Sequence, residues 1–438
     1  MEYDILVAGG MVLPLTGKAG IITNGYVAIR DGGICDMGPM SEAPRDAPAK
    51  QVIDATGCLV MPGLVNTHTH AAMTLFRGLA DDLPLMTWLQ EHIFPAEAKF
   101  VNPDMVYWCS KLAAAEMLLS GTTTVADGYF YEESAALAFS EAGMRAVPAQ
   151  GVVDFPAPGV PDPAGNIKAV ADFIEKWLGK SSLITPAVFC HAPYTCGPDT
   201  LREAKKLANQ HKVLFFIHLA ETRDEVEQIK ERHGATPVQY LADLGVLDEK
   251  TIGVHCVWLT AGDIEILQQT KTKVATCTES NMKLASGVAP VREMAAKGVA
   301  LGLGTDGCAS NNNLDLFEEM DFCAKLHKVH SEDPTALPAS DLLLMATGGG
   351  AKVLGLEEQA GSLAVGKRAD FIIIDIRQPH LTPFYSPDLL VYSGAGANVK
   401  TVIVDGRVVM RDRRILTFDA AEAMDKVNSL AQALRKKI

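Results

Sequence analysis

A chain of 438 residues, 48% hydrophobic and 21% charged, has length enough for one large barrel plus a smaller unit, and core enough to fold without a disulfide framework. Its 39 Lys and Arg against 53 Asp and Glu leave a net charge of −14, which repels phosphate backbones and argues against nucleic-acid binding. The start, MEYDILVAGG, has no basic segment ahead of an apolar one, so neither a secretion signal nor a membrane anchor is expected there. The uncharged stretch 58–76 is broken by Pro62, Gly63, Asn66, two histidines and three threonines and would not span a bilayer. Nine cysteines without a CxxC spacing, several in apolar runs (Cys190, Cys256, Cys277), read as reduced buried thiols in a cytoplasmic protein.

Residues 3–8, 25–30, 34–37 and 51–54 read as short strands, with Asp31-Gly32-Gly33 supplying a turn. The stretch 58–365 alternates short apolar runs that end in polar residues with longer stretches of helical period, such as 199–209 and 224–244. Eight such runs end near His70, Asp127, Asp154, His191, Glu221, His255, Asn281 and Asp306. Strands that alternate with helices pair in parallel, because a parallel pair needs a crossover. Eight units in about 300 residues predict an α/β fold, a closed (β/α)8 TIM-like barrel, with an open doubly wound sheet as the alternative. Beyond the barrel, 371–375 is a continuous apolar run, and 399–404, Asp405-Gly406 and 407–410 form a hairpin pattern. Residues 1–57 and 366–418 are therefore assigned to one small β-sandwich domain built from both termini. A closing helix is expected in 419–438, with helical spacing across 420–434.

The polar residues gather at the C-terminal ends of the barrel runs, the face on which barrel active sites form. In Asn66-Thr67-His68-Thr69-His70 the two histidines lie two apart, so on a strand they share a face. With 11 histidines in the chain, about 0.3 such pairs arise by chance, and the spacing means little without its position. Three more strand ends add His218, His255 and Asp306. Imidazoles and a carboxylate suit one divalent cation, Zn2+ or Fe2+, held by His68, His70, His218 and Asp306. Such a cation brings a water's ionisation towards neutrality. Glu221, three residues past His218, is placed to move protons, and His255 to polarise the attacking water or meet a developing oxyanion.

These strings resemble the amidohydrolase superfamily, in the branch of 5′-methylthioadenosine/S-adenosylhomocysteine deaminases and triazine chlorohydrolases. The similarity runs over nearly the whole chain: MPGLVNTHTHAAMTLFRGLADDLPLMTWL (61–89), CHAPYTCGPDTL (190–201), HLAET (218–222), HCVWLT (255–260), LGTDGCASNNNLDLFEEM (303–320) and GSLAVGKRADFIIID (361–375). The resemblance implies a mononuclear site with His68, His70, His218 and Asp306 as ligands. It makes Glu221 the proton-shuttling acid, His255 the histidine that assists water activation, and Asp306 also the acceptor of the water's proton. Binuclear members need a lysine at strand four, where this chain has Cys190-His191. Zinc-type triazine chlorohydrolases replace part of the His/Asp set, whereas His255 and Asp306 are both kept here, which favours deamination. The HxE and PCxxC pattern of the cytidine-deaminase fold is absent.

The same resemblance matches Glu97 to a carboxylate on the ribose hydroxyls and His191 to a substrate-contacting histidine. It leaves Trp88 and Met86 to cover the purine or its 5′ substituent. Relatives acting on S-adenosylhomocysteine place an arginine where this chain aligns Gln150, and a neutral amide gives no bidentate charged contact. The implied activity is hydrolytic deamination of adenosine-type nucleosides to the inosine analogue and ammonia, with neutral 5′ groups preferred: 5′-methylthioadenosine, adenosine or 5′-deoxyadenosine. Alternatives are a deaminase of guanine- or pterin-like bases, an s-triazine amino- or chlorohydrolase, and a non-catalytic scaffold. Relatives imply a homo-oligomer, dimer or tetramer, with a small-molecule substrate and no membrane partner.

Overall fold

The structure is a computed structural model that describes residues 2–16, 20–43, 48–83 and 87–436. Its N-terminal strands are β1 (Tyr3–Val12), β2 (Ile22–Arg30), β3 (Gly33–Pro39), β4 (Ala49–Asp54) and β5 (Cys58–Pro62). The barrel strands follow as β6 (Leu64–Thr69), β7 (Thr122–Tyr129), β8 (Arg145–Val152), β9 (Ala187–Cys190), β10 (Phe215–Leu219), β11 (Thr251–His255), β12 (Lys273–Thr276) and β13 (Leu301–Leu303). The chain returns through β14 (Phe371–Asp375), β15 (Val399–Val404), β16 (Arg407–Arg411) and β17 (Arg414–Ile415).

Among the described residues these strands form two sheets. Strands β6 to β13 pair in sequence order and in parallel, one strand for each of the eight apolar runs. They are buried on both faces, as strands between a filled interior and an outer ring of helices must be. The ring closes where β13 meets β6: Asp306 N–H donates to His68 O at 3.0 Å and Thr67 Oγ1 to Leu303 O at 2.8 Å. Gly302 and Gly304 permit that approach, since a Cβ would stand 2.5 Å from the Thr67 side chain and 2.9 Å from the His68 carbonyl oxygen.

The other sheet has nine strands, ordered β17-β16-β15-β14-β5-β1-β2-β3 with β4 also on β1. Its N- and C-terminal halves join through the antiparallel β5–β14 pair. One core takes Ile5, Val27 and Ile53 from one half and Phe371, Ile373 and Ile403 from the other. Residues 58–62, assigned from sequence to the barrel, are thus a strand of this sheet, and the chain crosses to the barrel at Gly63. An apolar run buried on every side reads the same in either layer; pairing partners decide. A second difference concerns 224–244, read as one helical stretch. It is two helices, Arg223–His233 and Pro237–Asp243, parted at Gly234 in the left-handed region (φ +70°), with Thr236 capping the second. The terminal helix, Ala420–Arg435, starts at Asp419, whose carboxylate accepts the N–H groups of Ala421 and Glu422.

Arg145 at the start of β8 fixes the barrel to the sheet. Its guanidinium is 2.6 Å from Asp370 Oδ2 and 3.4 Å from Asp405 Oδ1, with Arg145 and Asp370 side chains 3% and 1% exposed. All nine cysteines are unpaired, and eight are buried. No helix among the described residues is long and apolar enough to cross a membrane.

Candidate active site

His68 and His70 leave β6, His218 leaves β10, and Asp306 follows β13. One donor atom from each lies within 4.8 Å of the others. Asp306 Oδ1 is 3.4 Å from His68 Nε2 and 3.3 Å from His70 Nε2. The His68, His70 and His218 ring centroids are 4.7–5.4 Å apart, and the Phe189 ring packs against all three.

Protonation favours a cation. Burial pushes His68 down to about 4 and His218 well below the ordinary imidazole range, with the neighbouring histidines adding to the effect at His218. Burial alone would raise Asp306; the close approach of His68 and the surrounding imidazoles outweigh that and hold it well below the usual carboxylate range. Neutral rings beside a carboxylate are what a divalent cation requires. Two donor atoms, His68 Nε2 and Asp306 Oδ1, are buried without a hydrogen-bond partner, a costly state that coordination relieves. His70 Nδ1 lies 2.5 Å from Gly128 O; it donates there and turns the Nε2 lone pair to the quartet. Asp306 Oδ2 accepts from Ser280 Oγ at 2.6 Å and Ser310 Oγ at 2.8 Å, leaving Oδ1 free.

His255 and Glu221 stand beside the quartet. His255 Nδ1 is 2.9 Å from Asn281 Oδ1, so its N–H points there, and Nε2 faces Glu221 Oε2 at 3.8 Å. Burial raises the Glu221 carboxyl; Asp306 adds to the rise and His255 opposes it. Glu221 therefore binds a proton more readily than an exposed glutamate does. Three separate strand ends are strained to present these groups: Ala220, His255 and Asp306 sit in the left-handed region at φ +52°, +68° and +58°.

His70, His218 and Asp306 line a cavity of about 300 Å3, together with Glu221 and His255. Glu97 lines it as well, and its Oε1 accepts from Tyr129 O–H at 2.6 Å. Burial pushes Glu97 up to about 7 against the pull of that hydrogen bond. His191 also lines the cavity, with Nδ1 2.9 Å from Thr195 Oγ1, and so does Trp88. The rest of the wall is mostly apolar, with Phe94, Phe130, Phe155 and Pro158 among its members, and carries Tyr194 and Ser310 as polar groups. Met86 lies outside the described residues.

One assignment from sequence is corrected. Gln150 does not reach the cavity; its Oε1 accepts the Glu132 N–H at 3.2 Å behind the barrel wall. Its neighbours Ala149 and Gly151 face inward, and strand alternation sends Gln150 outward. Sequence reasoning also passed over Tyr129, Ser280, Asn281 and Ser310. Asn281 was marked only as a run end; it belongs to a short helix, Thr278–Lys283, beyond β12.

The family model of the amidohydrolases matches residues 59–409. The chain belongs to the amidohydrolase family. A 5-methylthioadenosine/S-adenosylhomocysteine deaminase of Syntrophobacter fumaroxidans is 48% identical to this amidohydrolase, over 99% of this chain and 98% of that one. A 5′-deoxyadenosine deaminase of Methanosarcina acetivorans is 46% identical, over 98% of each. Among solved structures, a zinc-bound adenosine deaminase from Xanthomonas campestris superposes with a TM-score of 0.97 at 34% identity, over 99% of both chains.

Proposed function

We propose that this amidohydrolase hydrolytically deaminates adenosine-type nucleosides to the inosine analogue and ammonia. The observation that carries the reading is the cavity. His70, His218 and Asp306 of the His3Asp quartet line it beside Glu221 and His255, and the buried Glu97–Tyr129 pair lines it too. Relatives named for deamination of 5′-methylthioadenosine, S-adenosylhomocysteine and 5′-deoxyadenosine match over nearly their full lengths.

His68, His70, His218 and Asp306 would hold the cation, for which zinc is the proposed identity and iron(II) the alternative. The bound cation supplies Lewis acidity that makes a water nucleophilic near neutral pH. Asp306 and His255 take the proton that this water loses as it adds to purine C6. Glu221 delivers a proton to N1, so that C6 becomes tetrahedral; the proton taken from the water passes to the C6 amino group, which leaves as ammonia, and the C6 hydroxyl returns its proton to Glu221 as the carbonyl forms. Glu97 accepts the ribose hydroxyls, with Tyr129 fixing its other oxygen. His191 and Trp88 bound the substrate's flanks.

No lysine or arginine among the described residues lines the cavity, so a 5′ substituent carrying a carboxylate meets no countercharge. The preference for neutral 5′ groups rests on this lining rather than on Gln150. A nucleoside panel followed by ultraviolet absorbance tests it. We expect kcat/KM on 5′-methylthioadenosine or 5′-deoxyadenosine to exceed that on S-adenosylhomocysteine; the reverse order overturns the preference. Activity confined to guanine, pterins or triazines overturns the nucleoside reading itself.

A further inference from the structure

Two carboxylates that do not line the cavity take hold of the main chain that presents the proton-handling groups. After β10, the N–H groups of Ala220 and Glu221 donate to Glu225 Oε1 and Oε2, both at 2.8 Å. After β12, the N–H groups of Thr278 and Glu279 donate to Glu319 Oε1 at 2.5 Å and Oε2 at 3.1 Å. Glu225 is 2% exposed and Glu319 fully buried. Glu225 belongs to the helix Arg223–His233 and Glu319 to the helix Leu316–His330.

The peptide units held in this way are not arbitrary. One is that of Glu221 itself, next to Ala220 in its left-handed conformation. The other opens the turn that carries Ser280 and Asn281, whose side chains orient Asp306 Oδ2 and His255 Nδ1. Two acceptor oxygens on two successive N–H groups fix the tilt of a peptide plane, and with it the direction of the side chain that follows. In a buried site, each such bond is stronger than in water. A carboxamide has one acceptor oxygen, and its NH2 would face a main-chain N–H donor to donor.

We propose that Glu225 and Glu319 are positioning residues for the deamination. Glu225 sets the aim of Glu221, and Glu319 sets Asp306 and His255 through Ser280 and Asn281. The proposal rests on the roles of Glu221, His255 and Asp306 given above.

The test compares Glu225→Gln and Glu319→Gln with the wild type in bound zinc, zinc affinity against a chelator, KM and kcat on 5′-methylthioadenosine. Supporting contacts around metal sites change affinity or activity by about 10- to 100-fold. E225Q should keep zinc affinity and KM within about threefold while kcat falls by that factor. E319Q, which loosens a ligand as well, should lose kcat and weaken zinc binding together. General structural damage would lower all quantities alike in both variants, so the split between the two carries the argument. If either amide variant is insoluble, Glu225→Asp or Glu319→Asp, each too short to span both N–H groups, is read in its place. A kcat within threefold of wild type in either position, or parallel loss of zinc in E225Q, overturns the proposal. A wild-type enzyme inactive on every nucleoside would instead overturn the functional reading beneath it.

Discussion

Substituting Glu97→Gln removes almost no volume from the cavity lining and, above pH 7, one charge. Glu97 Oε1 is occupied by Tyr129 O–H at 2.6 Å, so Oε2 is the oxygen left for a ribose. A hydrogen bond to a charged acceptor contributes about 1.5–3 kcal/mol, which converts to about 10- to 150-fold in kcat/KM. A 2′,3′-dideoxy nucleoside has no hydroxyls for Glu97 to hold, so the variant should change its kcat/KM by less than about threefold. The pH dependence gives a second reading. Burial puts the Glu97 carboxyl at about 7, and only the ionised form accepts both hydroxyls. Riboside kcat/KM should therefore rise with pH through about 7, and this limb should be missing in E97Q. Stability runs the other way. The folded-state value lies above the unfolded value of 4.5, so the folded state holds the extra proton and loses stability as pH climbs from 4.5 to 7. At pH 8, E97Q should be more resistant to urea than wild type by about 3 kcal/mol, at 1.36 kcal/mol per pH unit. Equal losses on riboside and dideoxyriboside would refute the assignment, as would a pH limb that persists in E97Q.

Glu221→Gln should retain its metal and lower kcat by about 10^2- to 10^4-fold, the range of a lost general acid; single-turnover assays with metal analysis check both. Chelation should abolish turnover and lower the melting temperature in calorimetry, and zinc should restore both, because His68 Nε2 and Asp306 Oδ1 would lose their partner. Arg145→Met strands Asp370, 1% exposed, without its cation. Breaking a buried pair from one side costs about 3–5 kcal/mol, to be read in urea unfolding, while KM stays unchanged because the pair lies away from the cavity.

Much of this molecule was legible before any tertiary information. Alternation of apolar runs with helical stretches is a local property, and all eight runs became parallel barrel strands. The metal donors were legible for a related reason: a parallel barrel places every strand's C-terminal end on one rim, so His68, His70, His218 and Asp306 needed only their positions at run ends to be brought together. Glu97 and His191 came from the resemblance, and both line the cavity.

Local pattern determined which segments are strands and which polar residues crown them, because side-chain periodicity is set by backbone geometry within a few residues. Which layer β5 joins, which way Gln150 points, and which groups orient His255, Asp306 and Glu221 were decided only by the packed structure. Asn281 meets His255 across 26 positions and Glu319 meets Thr278 across 41. Such contacts depend on how strands register and helices dock, and no short stretch of chain encodes that pairing by itself.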